Sequence, residues 1–157
     1  MRIRSLRHRD RKPLIEAIEA SFTVHEVEVA VELLDAAIAG SHDYWILVAD
    51  QLEGAPGSIG GYICYGPTPM TRSTFDLYWI ATHPAVRGRG VGSALIHGME
   101  AELTERGVTG IRVETSETEG FGAAQRLYQR HGYPEAVRLP DFYRPGESLI
   151  LYYKRLS

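Results

Sequence analysis

Arg87-Gly88-Arg89-Gly90-Val91-Gly92 places three glycines at alternate positions between two runs of opposite character. Before it, Phe75 to Thr82 is rich in aromatic and β-branched residues and reads as a strand. After it, Ser93 to Arg106 reads as a helix. His83-Pro84 turns the chain between them. Alternate glycines leave backbone N–H groups uncovered and allow unusual φ/ψ. A helix start adds unpaired N–H groups and the positive end of its dipole. Such a loop binds phosphate oxygens, and Arg87 and Arg89 add positive charge.

The 157 residues fit one domain, taken over 1–157, and suffice to bury a full core. A hydrophobic share of 44% and a charged share of 24% are those of an ordinary globular protein. The net charge of −3 argues against nucleic acid as a partner. The basic start, Met1 to Asp10, has no apolar run behind it and does not read as a secretory signal. No window approaches the ~20 apolar residues of a membrane span, so no membrane partner is expected. The single cysteine, Cys64, excludes an internal disulfide, and no Cys/His/Asp spacing suggests a metal site. The expected location is the cytoplasm.

Around the loop, the rest of the chain falls into alternating elements. Ile3 to His8 is a short strand, and Asp10 to Pro13 a helix start with Asp10 as candidate N-cap. Leu14, Ile15, Ile18 and Phe22 share one helical face; after a break at Thr23 to His25, Val27, Val31, Leu34 and Ile38 share another, closed by Gly40. Tyr44 to Ala49 and Ser58 to Tyr65 read as an antiparallel hairpin, and Ile111 to Thr115 as a strand following Gly107–Gly110. Gly120 to His131 is a helix with Ala124, Leu127, Tyr128 and His131 on one face. Tyr133 to Leu139 is a strand, Pro140 to Gly146 a loop, and Glu147 to Arg155 a closing strand. The order βααβββαβαββ predicts a mixed, mostly antiparallel sheet of about seven strands with four helices, an α/β (α+β) architecture. The central βαβ unit should be parallel and right-handed.

A dinucleotide fold needs Gly-x-Gly-x-x-Gly near the first strand; here Ser93 stands where the third glycine belongs, in mid-chain. A P-loop needs Gly-Lys-Ser/Thr, which is absent. The stretch instead resembles the Arg/Gln-x-x-Gly-x-Gly/Ala motif of the GNAT superfamily of acyl-CoA-dependent N-acyltransferases, matched by Arg87, Gly90 and Gly92. Leu127-Tyr128-Gln-Arg-His-Gly132-Tyr133 is similar to that family's Leu-Tyr-x-x-x-Gly-Phe. The element order agrees over essentially the whole chain.

The resemblance implies acetyl-CoA as cofactor. Its pyrophosphate would lie on Arg87, Gly88, Arg89, Gly90, Val91, Gly92 and Ser93, and its pantetheine arm along the backbone of Ile80, Ala81 and Thr82. One N–H there would polarise the thioester carbonyl. It also implies a bulge in the fourth strand, which the sequence itself does not show, a splay between the fourth and fifth strands, Tyr128 as the group that protonates the departing thiolate, and Asp76 at the position of a base. Strand alternation would put Asp76, Tyr78 and Ile80 on one face, with Tyr78 a candidate substrate contact. Core packing of Tyr128 and Tyr78 and a merely hydrogen-bonded Asp76 are the structural alternatives. Where many members carry an asparagine this chain has Phe121, and no role is carried over. His83 fits the lead-in turn and Cys64 a buried strand position. His25, Glu26 and Tyr44 lie where acceptor pockets form, and Arg144, between Phe142-Tyr143 and Pro145-Gly146, is a candidate for a carboxylate against the reading of an ordinary turn.

The expected function is transfer of acetyl from acetyl-CoA to the primary amine of a small molecule, an amino acid or related metabolite, by direct attack. A protein or peptide N-terminus or a lysine is the alternative acceptor; a non-catalytic acyl-CoA-binding domain and a nucleotide-binding module are the rivals. Homodimers are common in the family, which makes a homodimer an analogy only.

Overall fold

The computed structural model describes residues 1–117 and 122–156. Its strands are β1 (Arg2–Ser5), β2 (Trp45–Asp50), β3 (Gly61–Pro67), β4 (Thr74–Thr82), β5 (Gly110–Ser116), β6 (Glu135–Arg144) and β7 (Glu147–Arg155). Its helices are α1 (Arg11–Ser21), α2 (Val24–Ile38), α3 (Val91–Glu105) and α4 (Gly122–Arg130). Among the described residues one seven-stranded sheet runs in the order β1-β2-β3-β4-β5-β7-β6, with the β4–β5 pair alone parallel. The part of the expected fourth helix that falls on residues 120 and 121 lies outside the described residues, as does Phe121.

Two apolar layers sandwich the sheet. On one face Leu14 and Ile18 of α1 and Ala30 and Leu34 of α2 pack on Ile46, Val48, Tyr62 and Cys64. On the other, Leu95, Ile96 and Met99 of α3 and Tyr128 of α4 pack on Leu47, Ile63, Leu77, Ile111 and Ile150. The helical periodicity of the sequence points to these faces because each strand alternates its side chains between the two layers. The break at Thr23 is a helix start: Thr23 and Glu26 form a reciprocal capping box, with the Thr23 N–H donating to Glu26 Oε2 at 2.7 Å.

Three expectations are corrected. Asp10 occupies the N-cap of α1 but its side chain does not cap it; the carboxylate accepts from Arg4 at 2.7 and 2.9 Å and from the Arg7 N–H at 2.7 Å. A buried guanidinium outcompetes the helix's own N–H groups for this acceptor. Residues 140–144 are not a loop but the end of β6, which is irregular: the pairing with β7 shifts between Leu139 and Arg144, Asp141 has φ +55°, and its carboxylate accepts from the Gly146 N–H at 2.7 Å. Third, Asp76, Tyr78 and Ile80 do not share a face. Cys64 pairs with Trp79 and Tyr65 with Leu77, so Tyr78 is an extra residue in β4. Tyr78 and Trp79 both pack towards α1 and α2, and Ile80 is thrown to the α3 side. A β-bulge reverses the alternation beyond it.

Candidate active site

β4 and β5 pair only from Thr74–Leu77 to Gly110–Val113. Beyond that, β5 runs on to Ser116 against β7, while β4 runs on to Thr82 against β3. The bulge at Tyr78 sits where the two strands part, because the extra residue increases the local twist of β4. An open cleft of about 1620 Å³ occupies the gap, and residues 78–82 form one of its edges.

At one end of the cleft lies the glycine loop. Pro84–Val86 makes a single 3-10 turn, pinned by His83 Nδ1, which accepts from the Ala85 N–H at 3.1 Å. Gly88 and Gly90 adopt φ of +77° and +78°, and a Cβ at either would meet nothing within 4 Å. Their backbone is therefore open to solvent as well as left-handed, a conformation in which an L side chain is strained. Gly90 is the N-cap of α3 and no side chain caps it. The N–H groups of the first helical turn, beginning at Val91, thus lack intrahelical acceptors and are aimed outwards. Arg87, Gly88, Gly90, Val91, Gly92 and Ser93 line the cleft. Arg89 turns away, donating from Nη1 to the Glu53 carbonyl at 2.8 Å. Ser93 Oγ lies 2.9 Å from His131 Nε2. The arrangement suits a phosphate diester: open N–H groups, a dipole end and one cation.

Tyr128 of α4 lines the cleft, although the residue is buried. Its ring lies 6.0 Å from Tyr133 and 5.7 Å from Tyr152. Burial, and then Tyr152, push its pKa well above the usual phenolic value, so it is a neutral donor at physiological pH.

Asp76 opens onto the cleft but is not free. Both oxygens are held by Arg112, Nε to Oδ1 at 2.6 Å and Nη2 to Oδ2 at 3.1 Å. Asp76 and Arg112 are register partners in the last rungs of the parallel pair. Arg112, Glu114, Tyr143 and Glu147 join the cleft wall, none of them singled out by local sequence pattern. Opposite charge across a parallel pair is a usable signal only once the register is known. Glu147 accepts from Ser116 Oγ at 2.6 Å and pairs with Arg144 at 3.0 Å. Arg144 itself projects into solvent and is not on the cleft wall. Tyr78 and Tyr44 stack edge-to-face at 5.4 Å and line the cleft with Glu26, whose carboxylate is already used by the capping box; burial, and then Asp76, push the Tyr78 hydroxyl up to about 12.

Cys64 is buried off the cleft and burial pushes its thiol up to about 12, which makes it a poor nucleophile. Among the described residues no group of three or more His, Cys, Asp or Glu is placed to hold a metal ion, and no helix is long and apolar enough to cross a membrane.

Comparison with known proteins gives one family. The description "Acetyltransferase (GNAT) domain" matches residues 40–135. An L-2,4-diaminobutyric acid acetyltransferase of Streptomyces avermitilis is 37% identical over 118 residues, 67% of this chain and 62% of that protein, so the match spans under two thirds of the relative's length. A crystal structure of a GNAT-family protein from Desulfovibrio desulfuricans superposes with a TM-score of 0.89 at 31% identity, over 99% of both chains. The ribosomal-protein-S18-alanine N-acetyltransferase of Escherichia coli shares the fold, with a TM-score of 0.76 at 22% identity over 99% of this chain and 94% of that one. A family match over most of the chain and end-to-end agreement with a GNAT structure leave one assignment: this chain belongs to the GNAT acetyltransferase family.

Proposed function

We propose that the chain transfers acetyl from acetyl-CoA to a primary amine of a small molecule, an amino acid or a related metabolite. The observation that carries this reading is the continuity of one cleft. It runs from the glycine loop, past the unpaired edge of β4 and Tyr128, to a wall bearing Arg112, Glu114 and Glu147. The likeness to a diaminobutyric acid acetyltransferase favours a small amine over a protein terminus.

Acetyl-CoA supplies a thioester acyl group and a thiolate leaving group. The residues present fit it. The open N–H groups around Gly88–Ser93, with Arg87, hold the pyrophosphate. The edge of residues 78–82 left unpaired by β5 would offer backbone partners to the pantetheine amides, as an added strand would, and an N–H to polarise the thioester carbonyl. Tyr128 donates its hydroxyl hydrogen towards the departing sulfur. The amine attacks directly, since no activated thiol lies on the cleft. Asp76 enters as the anchor of Arg112 rather than as a free base, because both its oxygens already accept from that guanidinium.

The test is a thiol-release screen with acetyl-CoA against amino acids, diamines, aminoglycosides and N-terminal peptides. Turnover confined to small amines is expected. Turnover with peptides alone would move the acceptor to the protein class, and none at all would leave a binding domain. In parallel, Gly90→Ala should weaken CoA binding about tenfold and lower stability by about 1–2 kcal/mol, since a Cβ at φ +78° strains the N-cap and intrudes on the cradle. Calorimetric titration with CoA and thermal melting read the two effects separately. Unchanged affinity would move the phosphate site off this loop.

A further inference from the structure

We infer that Arg112 is the carboxylate receptor of the acceptor side, and that the acceptor is a small α,ω-diamino acid whose non-attacking ammonium faces Glu114. The inference rests on the acetyltransferase reading and deepens it.

A guanidinium presents a planar fork on each of its edges. Arg112 gives its Nε/Nη2 edge to Asp76 in a bidentate pair, and Asp76 is only 5% exposed. The buried carboxylate fixes the plane of the guanidinium. Nη1 has no protein acceptor among the described residues, and the Arg112 side chain is 43% exposed on the cleft wall. The edge carrying Nη1 is thus oriented and open, which is the geometry that recognises a second carboxylate. Its position supports the same role. The Asp76–Arg112 pair stands at the last rungs before β4 and β5 part, so the open edge borders the gap where acyl group and amine must meet.

Glu114 lies two residues further along β5 and so on the same face. Unlike Glu147, which is held by Ser116 and Arg144, it has no cationic partner among the described residues. The Tyr143 hydroxyl beside it is raised by burial and then by the Glu114 charge. One strand therefore offers a cation and then an anion about 7 Å apart along its length. A ligand complementary to both carries a carboxylate and an ammonium on a short skeleton. The attacking amine is a further group, because an ammonium held against a carboxylate is no nucleophile. Two amines and one carboxylate define a diamino acid.

The test compares three acceptors built on the same three-carbon spacing: L-2,4-diaminobutyrate; 1,3-diaminopropane, which lacks the carboxylate; and 4-aminobutyrate, which lacks the second amine. Wild type should prefer diaminobutyrate to each of the others by about tenfold or more in kcat/KM, the size of one lost charged hydrogen bond. Arg112→Lys keeps a charge for Asp76 but leaves no second fork. It should cut the preference over 1,3-diaminopropane by about tenfold or more while rates with the diamine itself stay within about threefold. Glu114→Gln should do the same to the preference over 4-aminobutyrate. Melting and CoA titration of each variant report whether fold and donor site are intact. A flat wild-type profile among acceptors that do turn over overturns this inference alone. Equal losses on all three acceptors in the variants also overturn it. Absence of turnover with every amine overturns the acetyltransferase reading and the inference with it.

Discussion

Tyr128→Phe is expected to slow acetyl transfer by about 100–1000-fold while acetyl-CoA binds within about threefold of wild type. The ring stays, so its contacts with Tyr133 and Tyr152 stay, and only the hydroxyl is removed. The raised pKa decides what that hydroxyl does. Burial and Tyr152 make it a weaker acid than a free phenol. Complete proton transfer to a thiolate of pKa near ~8.5 would run uphill. The hydroxyl therefore acts chiefly as a fixed hydrogen-bond donor to charge developing on sulfur, a contact stronger in the transition state than in the ground state. The sign of the pH dependence follows. A phenol with a raised pKa stays protonated through the neutral and mildly alkaline range, so its ionisation should produce no fall in rate below about pH 10. Steady-state thiol release gives the rate, and calorimetry with a non-reactive acyl-CoA analogue gives the affinity. An unchanged rate in the phenylalanine variant would reduce Tyr128 to a core residue. An equal loss of binding and rate would make it part of the donor site instead.

What could be read from the chain in advance was what local chemistry determines. The glycine loop is legible because φ values near +77° at Gly88 and Gly90 favour glycine, wherever those residues sit in the fold. The α1 and α2 faces are legible because a period of 3.6 is a property of each helix alone. Legibility ends where two segments must be aligned. Alternation puts Ile80 with Asp76, and a single extra residue at Tyr78, visible only against β3, sends it to the other face. Arg112 is silent in the sequence, since its meaning comes from facing Asp76 across a parallel register. Arg144, beside two aromatics, looks the better carboxylate ligand, yet it projects into solvent and pairs with Glu147. Asp10 is a fair N-cap by position, and loses that role to Arg4 because a charged partner in a buried setting outweighs a helix N–H.

That same Arg4 gives the largest expected effect on stability. Arg4 is 9% exposed and Asp10 2% exposed, and the guanidinium also donates from Nε to Asp50 Oδ2 at 2.6 Å. The three residues tie β1 to the start of α1 and to the end of β2, and α1 leads into the Ser21–Thr23 stretch that lines the cleft. Arg4→Met should destabilise the fold by about 3–5 kcal/mol at pH 7, because it leaves the Asp10 carboxylate buried without a cation. That is a large part of the ~5–15 kcal/mol that holds an ordinary domain. Acid should shrink the difference. In the wild type burial opposes the Asp10 charge, but Arg4 and the Arg7 N–H outweigh it and hold the pKa below its ordinary value; Arg4 does the same to Asp50. The stabilisation from both is present above the unfolded pKa of ~3.9 and is lost as pH falls through the lowered folded values. In the variant only the Arg7 N–H and the Arg9 charge still oppose burial at Asp10, so its pKa rises from the wild-type value and protonation there relieves the penalty as pH falls. The two unfolding curves should therefore converge on acidification, from a wide gap at pH 7 to a narrow one near pH 3. Urea unfolding of both proteins across that range measures the gap directly. A pH-independent gap would mean that Arg4 acts through its packing alone, and Arg4→Lys, which restores charge without the fork, would separate the two contributions.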